Sequence, residues 1–445
     1  MNIIQLIEKK RDKNPLTAEE ISFFVQSVCD ETIPDYQISA LLMAICINGM
    51  TDEETALLTN AMAKSGDTID LSYIDGIKVD KHSSGGVGDK VTLAVAPMAA
   101  ACGLPTAKMS GRGLGFSGGT IDKLESIPGF RTSLTEEEFV TFIKRDGIAL
   151  MGQTKNVAPA DKKLYALRDV TGTVPSIPLI AASIMSKKLA CGSDAIVLDV
   201  KCGSGAFMKT PEEAIKLARS MESIGRQNGR RVTALITNMD QPLGNAVGNA
   251  LEVREAIETL KGNGPSDFTE LCLTIGSFML VSGEKANDLP QARKMLETSI
   301  QNGSALNKFK QFISNQGGDP SVADDPSLLP NANTVRILRS PCSQLISGID
   351  GEKVGNAALT VKAGRLVKTD IIDHSCGFIL LAKAGEKVEK GQPIAEIHAS
   401  DEASAKQAEE QLLSAYTFGD NFEEKPMLLA YVDREGIHYD KNNDR

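Results

Sequence analysis

The sequence predicts an α/β protein in which a helical region, a mostly parallel sheet and a β-rich C-terminal region share 445 residues. Three observations predict this class. Apolar residues recur at helical spacing over the first seventy residues, and short apolar runs alternate with amphipathic helices from about residue 76. After about residue 335, apolar and polar positions alternate around glycine-containing turns. A chain of this length accommodates two or three domains.

The helical region is predicted from its start signals. Thr17 with Glu20 and Thr51 with Glu54 have the spacing of capping boxes, and each pair precedes apolar residues at helical spacing. Pro34 opens a further helix, "DYQISALLMAICI". We assign residues 1–70 to this helical domain.

The sheet region is predicted from strands that alternate with helices. The predicted strands are "PTAKMS", "IALMG", "AIVLDV" and "RVTALITNM", and the predicted helices between them are "VTLAVAPMAAAC", "TEEEFVTFIKRDG" and "TPEEAIKLARSMESIG". Such alternation is typical of parallel strands joined by right-handed crossovers, which bind ligands at the carboxyl ends of the strands. We assign residues 71–159 and 193–335 to this α/β domain.

Two helices, "ADKKLYALRDV" and "IPLIAASIMSKKLA", interrupt the alternation. We predict that residues 160–192 return to the helical domain, which is then discontinuous. Residues 336–445 form a separate C-terminal domain, in which "AGEKVEKGQPIAEI" has the turn spacing of lipoyl or biotinyl hairpins. No lysine stands at an obvious tip, so this similarity indicates architecture rather than a carrier module.

Composition excludes several classes of protein. The net charge of −10 argues against a nucleic-acid surface, which needs clustered basic residues. The eight cysteines are scattered without a C-x-x-C pair, the first residues lack a signal peptide, and no apolar run is long enough to span a membrane. These features predict a cytoplasmic protein. Only four histidines are present, which disfavours a histidine-built metal centre.

The stretch "VDKHSSGGVGDK" predicts an anion site. A strand enters a glycine-rich turn, and a helix follows whose N-terminus attracts negative charge. Lys81 would add a full charge, and Ser83 and Thr92 would add hydroxyl donors. The stretch is not a Walker A loop, because Lys90 follows Asp89 and precedes Val91. The alternative is a tight turn with solvated polar residues.

A second glycine-rich stretch, "KMSGRGLGFSGGTIDKLES", follows another predicted strand. Its glycines fit the dinucleotide pattern G-x-G-x-x-G, but no acidic residue lies at the expected distance beyond them. A second anion-binding turn, with Ser110 and Thr120 directing hydroxyls at the same ligand, accounts for the residues better. The two turns can converge on a single phosphate.

A third group of polar residues lies on the two interrupting helices. Ser183 and Lys187 are four residues apart and share one helix face, and Arg168 comes from the preceding helix. Together they can reach a cleft. Alternatively, Lys187 is part of a solvated helix end and Arg168 pairs with Asp161 or Asp169.

Five stretches closely resemble the family of pyrimidine-nucleoside and thymidine phosphorylases: "KHSSGGVGDK", "SGRGLGFSGGTIDKLE", "LYALRDVTGTV", "SIPLIAASIMSKKLA" and "DVKCGSGAFMK". The resemblance implies the nucleoside phosphorylase and phosphoribosyltransferase class of fold. In it an all-helical domain faces an α/β domain across a cleft, a smaller C-terminal α/β domain follows, and two subunits form a homodimer.

The implied activity, by the same resemblance, is nucleoside salvage without an organic cofactor. Inorganic phosphate reversibly splits uridine, thymidine or deoxyuridine into the free base and (deoxy)ribose 1-phosphate. A thymidine-specific phosphorylase is one alternative. An enzyme similar to anthranilate phosphoribosyltransferase is a more remote one, since the acidic pairs of its pyrophosphate-and-magnesium site are not found.

The resemblance also implies roles for individual residues. Those implied to bind phosphate are Lys81, His82, Ser83, Thr92, Lys108, Met109, Ser110 and Thr120. Those implied to bind the pyrimidine are Arg168, Ser183 and Lys187, and the catalytic set is His82, Arg168 and Lys187. Phe116 stands where relatives have histidine, which leaves the preference among nucleosides open.

Relatives of the Bacillus type hold a potassium ion, and the resemblance places it at Gly88, Leu243, Ala246 and Glu255. This chain departs from them at Lys90, where they have threonine. We hypothesise that the Lys90 ammonium occupies the cation position and pairs with Glu255. The alternative is that Lys90 points to solvent and the ion still binds.

Overall fold

The protein is described by a computed structural model that covers residues 1–113, 115–154, 156–366 and 370–439. Its first part is a layer of four helices. The side chains of Thr17 and Thr51 accept hydrogen bonds from the backbone N–H of Glu20 and Glu54. Each glutamate carboxylate in turn accepts a bond from the backbone N–H of its cap residue, as predicted. The helices are α1 (Ile3–Arg11), α2 (Ala18–Cys29), α3 (Asp35–Asn48) and α4 (Asp52–Ala63).

A seven-stranded sheet forms the centre of the molecule. Its order is β14-β13-β5-β4-β1-β2-β3, in which β1 to β5 are parallel and β13 and β14 are antiparallel. The parallel strands are β1 (Val79–Ser83), β2 (Thr106–Ser110), β3 (Ile148–Gly152), β4 (Ala195–Cys202) and β5 (Arg231–Asn238). The antiparallel strands are β13 (Leu428–Asp433) and β14 (Gly436–Tyr439).

Both faces of the central sheet are covered, as parallel sheets require. Along β4, Ala195 and Val197 pack into one apolar core, while Ile196 and Leu198 pack into another on the opposite face. Helices α5, α7, α10 and α12 contact the sheet itself. The helices of this region are α5 (Val91–Ala101), α6 (Thr120–Leu124), α7 (Glu136–Asp146), α10 (Pro211–Gln227), α11 (Asn249–Leu260), α12 (Ser266–Ser282), α13 (Leu289–Gln301) and α14 (Ser304–Asn315).

The two interrupting helices are α8 (Pro159–Thr171) and α9 (Ile177–Ala190). Leu164 of α8 and Leu179 of α9 pack in the same core as helices α1 to α4. Met185 of α9 packs instead against β4 and α10. Helix α9 therefore belongs to the helical layer on one side and to the sheet on the other.

The C-terminal part has two small sheets, of order β6-β9-β11-β7 and β10-β8-β12. The strands are β6 (Ala246–Val247), β7 (Thr334–Arg339), β8 (Gln344–Ile349), β9 (Gly377–Leu380), β10 (Lys387–Val388), β11 (Pro393–Ala399) and β12 (Tyr416–Gly419), and the helices are α15 (Gly351–Thr360) and α16 (Glu402–Leu413). The predicted three-part α/β class is confirmed, whereas the exact domain boundaries stay a prediction.

Two strands pair in a sheet outside their own region of the chain, which was not predicted from the sequence. Strand β6 leaves the α/β region to pair with β9, and β13 returns to pair with β5 at Tyr431 and Leu235. The predicted C-terminal domain, residues 336–445, thus contributes strands to the central sheet. Its residues 440–445 lie outside the described part of the chain. Within that part, no helix combines the length and apolar character needed to cross a bilayer.

Candidate active site

The first turn, Ser84 to Lys90, follows β1 and leads into α5. Gly85 and Gly88 have φ of +99° and +75°, a conformation that favours glycine. At Gly88 a Cβ atom would also come within 2.7 Å of the Leu243 carbonyl oxygen. Ser83 accepts a 3.1 Å hydrogen bond from the Gly85 N–H. The turn thus places backbone N–H groups and the start of α5 at the carboxyl edge of the sheet.

The second turn, Gly111 to Gly119, follows β2 and leads into α6, and its Leu114 lies outside the described residues. Asp122 closes it by accepting a 2.6 Å bond from the Gly113 N–H. The same carboxylate accepts from Arg112 at 3.1 Å and from Arg365 at 2.9 Å. Sequence reasoning missed Asp122, although its place nine residues after a turn glycine was a usable signal.

The predicted phosphate residues lie on these two turns and their flanking elements. Ser83 and Ser110 end β1 and β2, which are adjacent parallel strands. Thr92 lies buried in the first turn of α5, and Thr120 is the first residue of α6. The two strand ends therefore share one edge of the sheet, with a helix start after each turn.

A buried ion-pair network lies beneath the first turn. Lys81 and Lys201 lie 3.0 and 2.9 Å from the same Asp199 oxygen, and all three side chains are at most 2 % exposed. Lys81 is also 4.0 Å from Asp89. Burial opposes charge on Asp89, but Lys201 and Lys81 hold its pKa far below the ordinary value. The predicted phosphate residue Lys81 thus comes with carboxylate partners that the sequence did not reveal.

A second network joins the sheet to α9. Lys188 lies 2.7 Å from an Asp80 carboxylate oxygen and donates a 2.8 Å bond to the Met109 carbonyl. Lys108 donates to the same carbonyl at 3.3 Å and lies 3.8 Å from Asp80. Burial, together with the positive charges of Lys188 and Lys81, lowers the pKa of Lys108 well below its ordinary value.

His82 lies half-buried near the end of β1. Burial lowers its pKa well below the ordinary value, and the ammonium groups of Lys188, Lys108 and Lys187 lower it further. The imidazole is therefore neutral near pH 7 and can donate one hydrogen bond. Lys108 of β2 and the two lysines of α9 thus all disfavour protonation of this imidazole.

The predicted pyrimidine residues lie together on α8 and α9. Lys187 donates a 3.0 Å bond to the Ser183 hydroxyl and pairs with Asp161. Arg168 is 2 % exposed and donates to the carbonyls of Thr173, Val174 and Leu179, rather than pairing with Asp161 or Asp169. The guanidinium has five N–H donors, so two remain beyond these three bonds.

Lys90 points inward and is 1 % exposed. Its Nζ lies 2.9, 2.7 and 3.0 Å from the carbonyl oxygens of Gly88, Leu243 and Ala246, and 2.5 Å from Glu255 Oε2. Burial works against its charge, but the carboxylate of Glu255 raises the pKa of Lys90 above the ordinary value. The solvent-facing alternative for this side chain is therefore wrong.

Phe116 packs on Phe207 with ring centroids 5.3 Å apart, and the Lys209 ammonium lies 5.5 Å from its ring. Its backbone carbonyl approaches Gly355 of α15 so closely that a Cβ there would come within 2.4 Å. Phe116 thus joins the second turn to the C-terminal part of the molecule, and its side chain packs against the apolar core there.

Three family profiles match the chain in order. Residues 4–66 match the helical bundle domain of the glycosyl transferase family, residues 75–306 its a/b domain, and residues 345–419 the pyrimidine nucleoside phosphorylase C-terminal domain. Pyrimidine-nucleoside phosphorylases from Geobacillus stearothermophilus and Bacillus subtilis are 56 % and 57 % identical, over 90 % of this chain and 93 % of each relative. That of Staphylococcus aureus is 55 % identical over 90 % of this chain and 92 % of its own length.

Among solved structures, anthranilate phosphoribosyltransferase from Thermus thermophilus superposes with a TM-score of 0.58 and 17 % identity. The match covers 70 % of this chain and 99 % of that one. At such low identity the match supports a shared fold and nothing further.

Proposed function

Since the chain belongs to the family of pyrimidine-nucleoside phosphorylases, we propose that it splits uridine, thymidine and deoxyuridine with inorganic phosphate. The products are the free pyrimidine and (deoxy)ribose 1-phosphate, and the reaction is reversible. We divide the site into a phosphate side and a pyrimidine side because of the Asp80–Lys188 ion pair, which joins β1, the strand before the first turn, to helix α9. His82 then lies between a phosphate side and a pyrimidine side.

On the phosphate side, we propose that the ligands are backbone N–H groups of the two turns and of the chain around Lys108 and Met109, the ammonium group of Lys81, and the hydroxyls of Ser83, Ser110, Thr92 and Thr120. Holding phosphate opposite the anomeric carbon supplies the proximity that a two-substrate reaction needs. Lys81 is already partnered by Asp199, so we propose that it orders the site and contributes positive potential rather than acting as a free cation.

On the pyrimidine side, Arg168, Ser183 and Lys187 meet the base. As the glycosidic bond stretches, the sugar becomes cationic and negative charge grows on the pyrimidine carbonyls. Lys187, Arg168 and the neutral donor His82 stabilise that charge more in the transition state than in the ground state. No covalent intermediate and no organic cofactor is required.

Three further assignments complete the proposal. The helical domain comprises residues 1–70 and 160–192, the phosphate domain 71–159 and 193–335, and the C-terminal domain 336–445. The enzyme acts in the cytoplasm, which agrees with eight free cysteines within the described residues. It forms a homodimer through the exposed apolar face of α3, where Tyr36, Met43 and Ile47 are 74 %, 38 % and 74 % exposed.

Phosphate-dependent release of base from uridine, thymidine and deoxyuridine tests the substrates, with chromatography of base and sugar phosphate as the readout. Release from all three supports broad specificity, and release from thymidine alone would establish the narrower alternative. Arg168→Ala and Lys187→Ala should each lower turnover at least about tenfold, whereas Lys81→Ala should mainly raise the KM for phosphate. Wild-type kinetics in all three variants would refute the placement of the residues.

A further inference from the structure

Four oxygen atoms converge on the Lys90 ammonium. They are the carbonyl oxygens of Gly88, Leu243 and Ala246 and the carboxylate of Glu255, all within 3.0 Å of Nζ. An ammonium has three N–H donors, so these acceptors saturate it. The ring of Phe268, with its centroid 5.1 Å from Nζ, borders the same group.

The oxygens come from separate parts of the chain. Gly88 belongs to the first turn, Glu255 to α11, Leu243 to the loop that leads into β6, and Ala246 is the first residue of β6. Strand β6 pairs with β9 of the C-terminal part. The ammonium therefore joins the turn that precedes α5 to the strand that enters the C-terminal sheet.

A second lysine, Lys383, binds the loop that leads into β6. Lys383 donates to the carbonyls of Pro242 and Gly244 at 2.5 Å and lies 3.3 Å from Asp267. Each carbonyl oxygen named on this loop is thus satisfied by an ammonium group, and the carboxylates of Glu255 and Asp267 balance the two charges. Such pairing is what buried ions require.

The oxygens around Lys90 are those that the family resemblance assigns to a potassium ion. Carbonyl oxygens do suit potassium. Here, however, Nζ lies within hydrogen-bonding distance of all four, and a second cation among them would meet the unscreened charge of the ammonium. The residues present do not fit a free potassium ion.

We infer that Lys90 is this protein's own tethered cation, so that the stability of its fold does not depend on potassium. The melting temperature tests this in potassium chloride and in tetramethylammonium chloride at equal ionic strength. The wild-type protein should melt at the same temperature in both salts. Stabilisation of the wild type by potassium would overturn the inference.

Two variants sharpen the test. Lys90→Thr removes the ammonium and supplies a hydroxyl, and it should melt about 5 °C lower in tetramethylammonium, because it leaves Glu255 buried without its partner. Potassium should restore most of that loss. Lys90→Met should melt low in both salts. A Lys90→Thr protein that potassium does not stabilise would contradict the inference.

A rubidium soak gives a readout that does not depend on the stability of the variants. Anomalous scattering in wild-type crystals should show no rubidium among the four oxygens, and a peak there would refute the tethered cation. Neither measurement uses phosphorolysis. The inference can therefore fail while the proposed function stands, and the reverse also holds.

Discussion

Asp80 and Asp161 hold cationic groups of the candidate site in place without being predicted to contact substrate. Asp80 pairs with Lys188 and lies near Lys108, and Asp161 pairs with Lys187. A lysine side chain has four rotatable bonds, so an unpaired ammonium would sample many positions. These carboxylates reduce that freedom before substrate arrives, which is the preorganisation on which electrostatic catalysis depends.

The pair of Lys187 and Asp161 supports a prediction about positioning. Lys187→Met should lower kcat at least about tenfold, because a charge used in the transition state is lost. Asp161→Asn should lower kcat less and leave the KM for phosphate unchanged, and Asp161→Glu should recover part of the loss. Steady-state kinetics with each substrate varied will separate these effects. An equal rise in both KM values would indicate general disruption instead.

The depressed pKa values of His82 and Lys108 predict that anion binding takes up protons. Both groups resist protonation in the free protein, and an anion bound beside them raises their pKa. The affinity of the protein for the anion should therefore fall as the pH rises. Sulfate is a suitable probe because it does not itself titrate near neutral pH, and calorimetry in buffers of different ionisation enthalpy counts the protons. Lys108→Met should reduce the uptake, and zero uptake by the wild-type protein would contradict the prediction.

At the scale of elements, the Asp122 carboxylate binds both the backbone of the second turn and two arginines. Asp122→Asn removes the charge that holds the Gly113 N–H, Arg112 and Arg365. Charge-assisted hydrogen bonds contribute about 1.5–3 kcal/mol each, so the KM for phosphate should rise roughly tenfold or more. Glu125→Gln is the matched control, since Glu125 binds Arg112 but not the Gly113 backbone. Equal effects of the two substitutions would show that Arg112, rather than the turn, is the sensitive part.

The helices and strands that could be predicted from the sequence are those whose start or pattern depends on residues close together in the chain. The capping threonines, the start of α3 after Pro34 and the strand-helix alternation all depend on residues within a few positions of one another. The pairings of β6 with β9 and of β13 with β5 were not predictable, because strand pairing between distant segments leaves no local pattern. The site follows the same rule: the glycine-rich turns were visible, whereas partners such as Asp199 and Lys188 lie far along the chain.

At the scale of the whole molecule, the exposed face of α3 predicts self-association. Tyr36, Met43 and Ile47 lie on one side of the helix and form an apolar stripe that a second copy can cover. The double variant Met43→Glu/Ile47→Glu should convert a dimer to a monomer in sedimentation velocity. Leu328→Glu, on an exposed residue elsewhere, should leave the dimer intact. A monomeric wild-type protein would contradict the proposal directly.

The pairing of β13 with β5 has a consequence for synthesis. During translation, β5 is complete at Asn238, but the strand that covers its edge begins only at Leu428. Until then the nascent chain presents an open strand edge, which is the kind of surface that templates intermolecular pairing. A ribosome-associated chaperone that shields extended backbone would thus act on β5 in the interval between the emergence of these two strands.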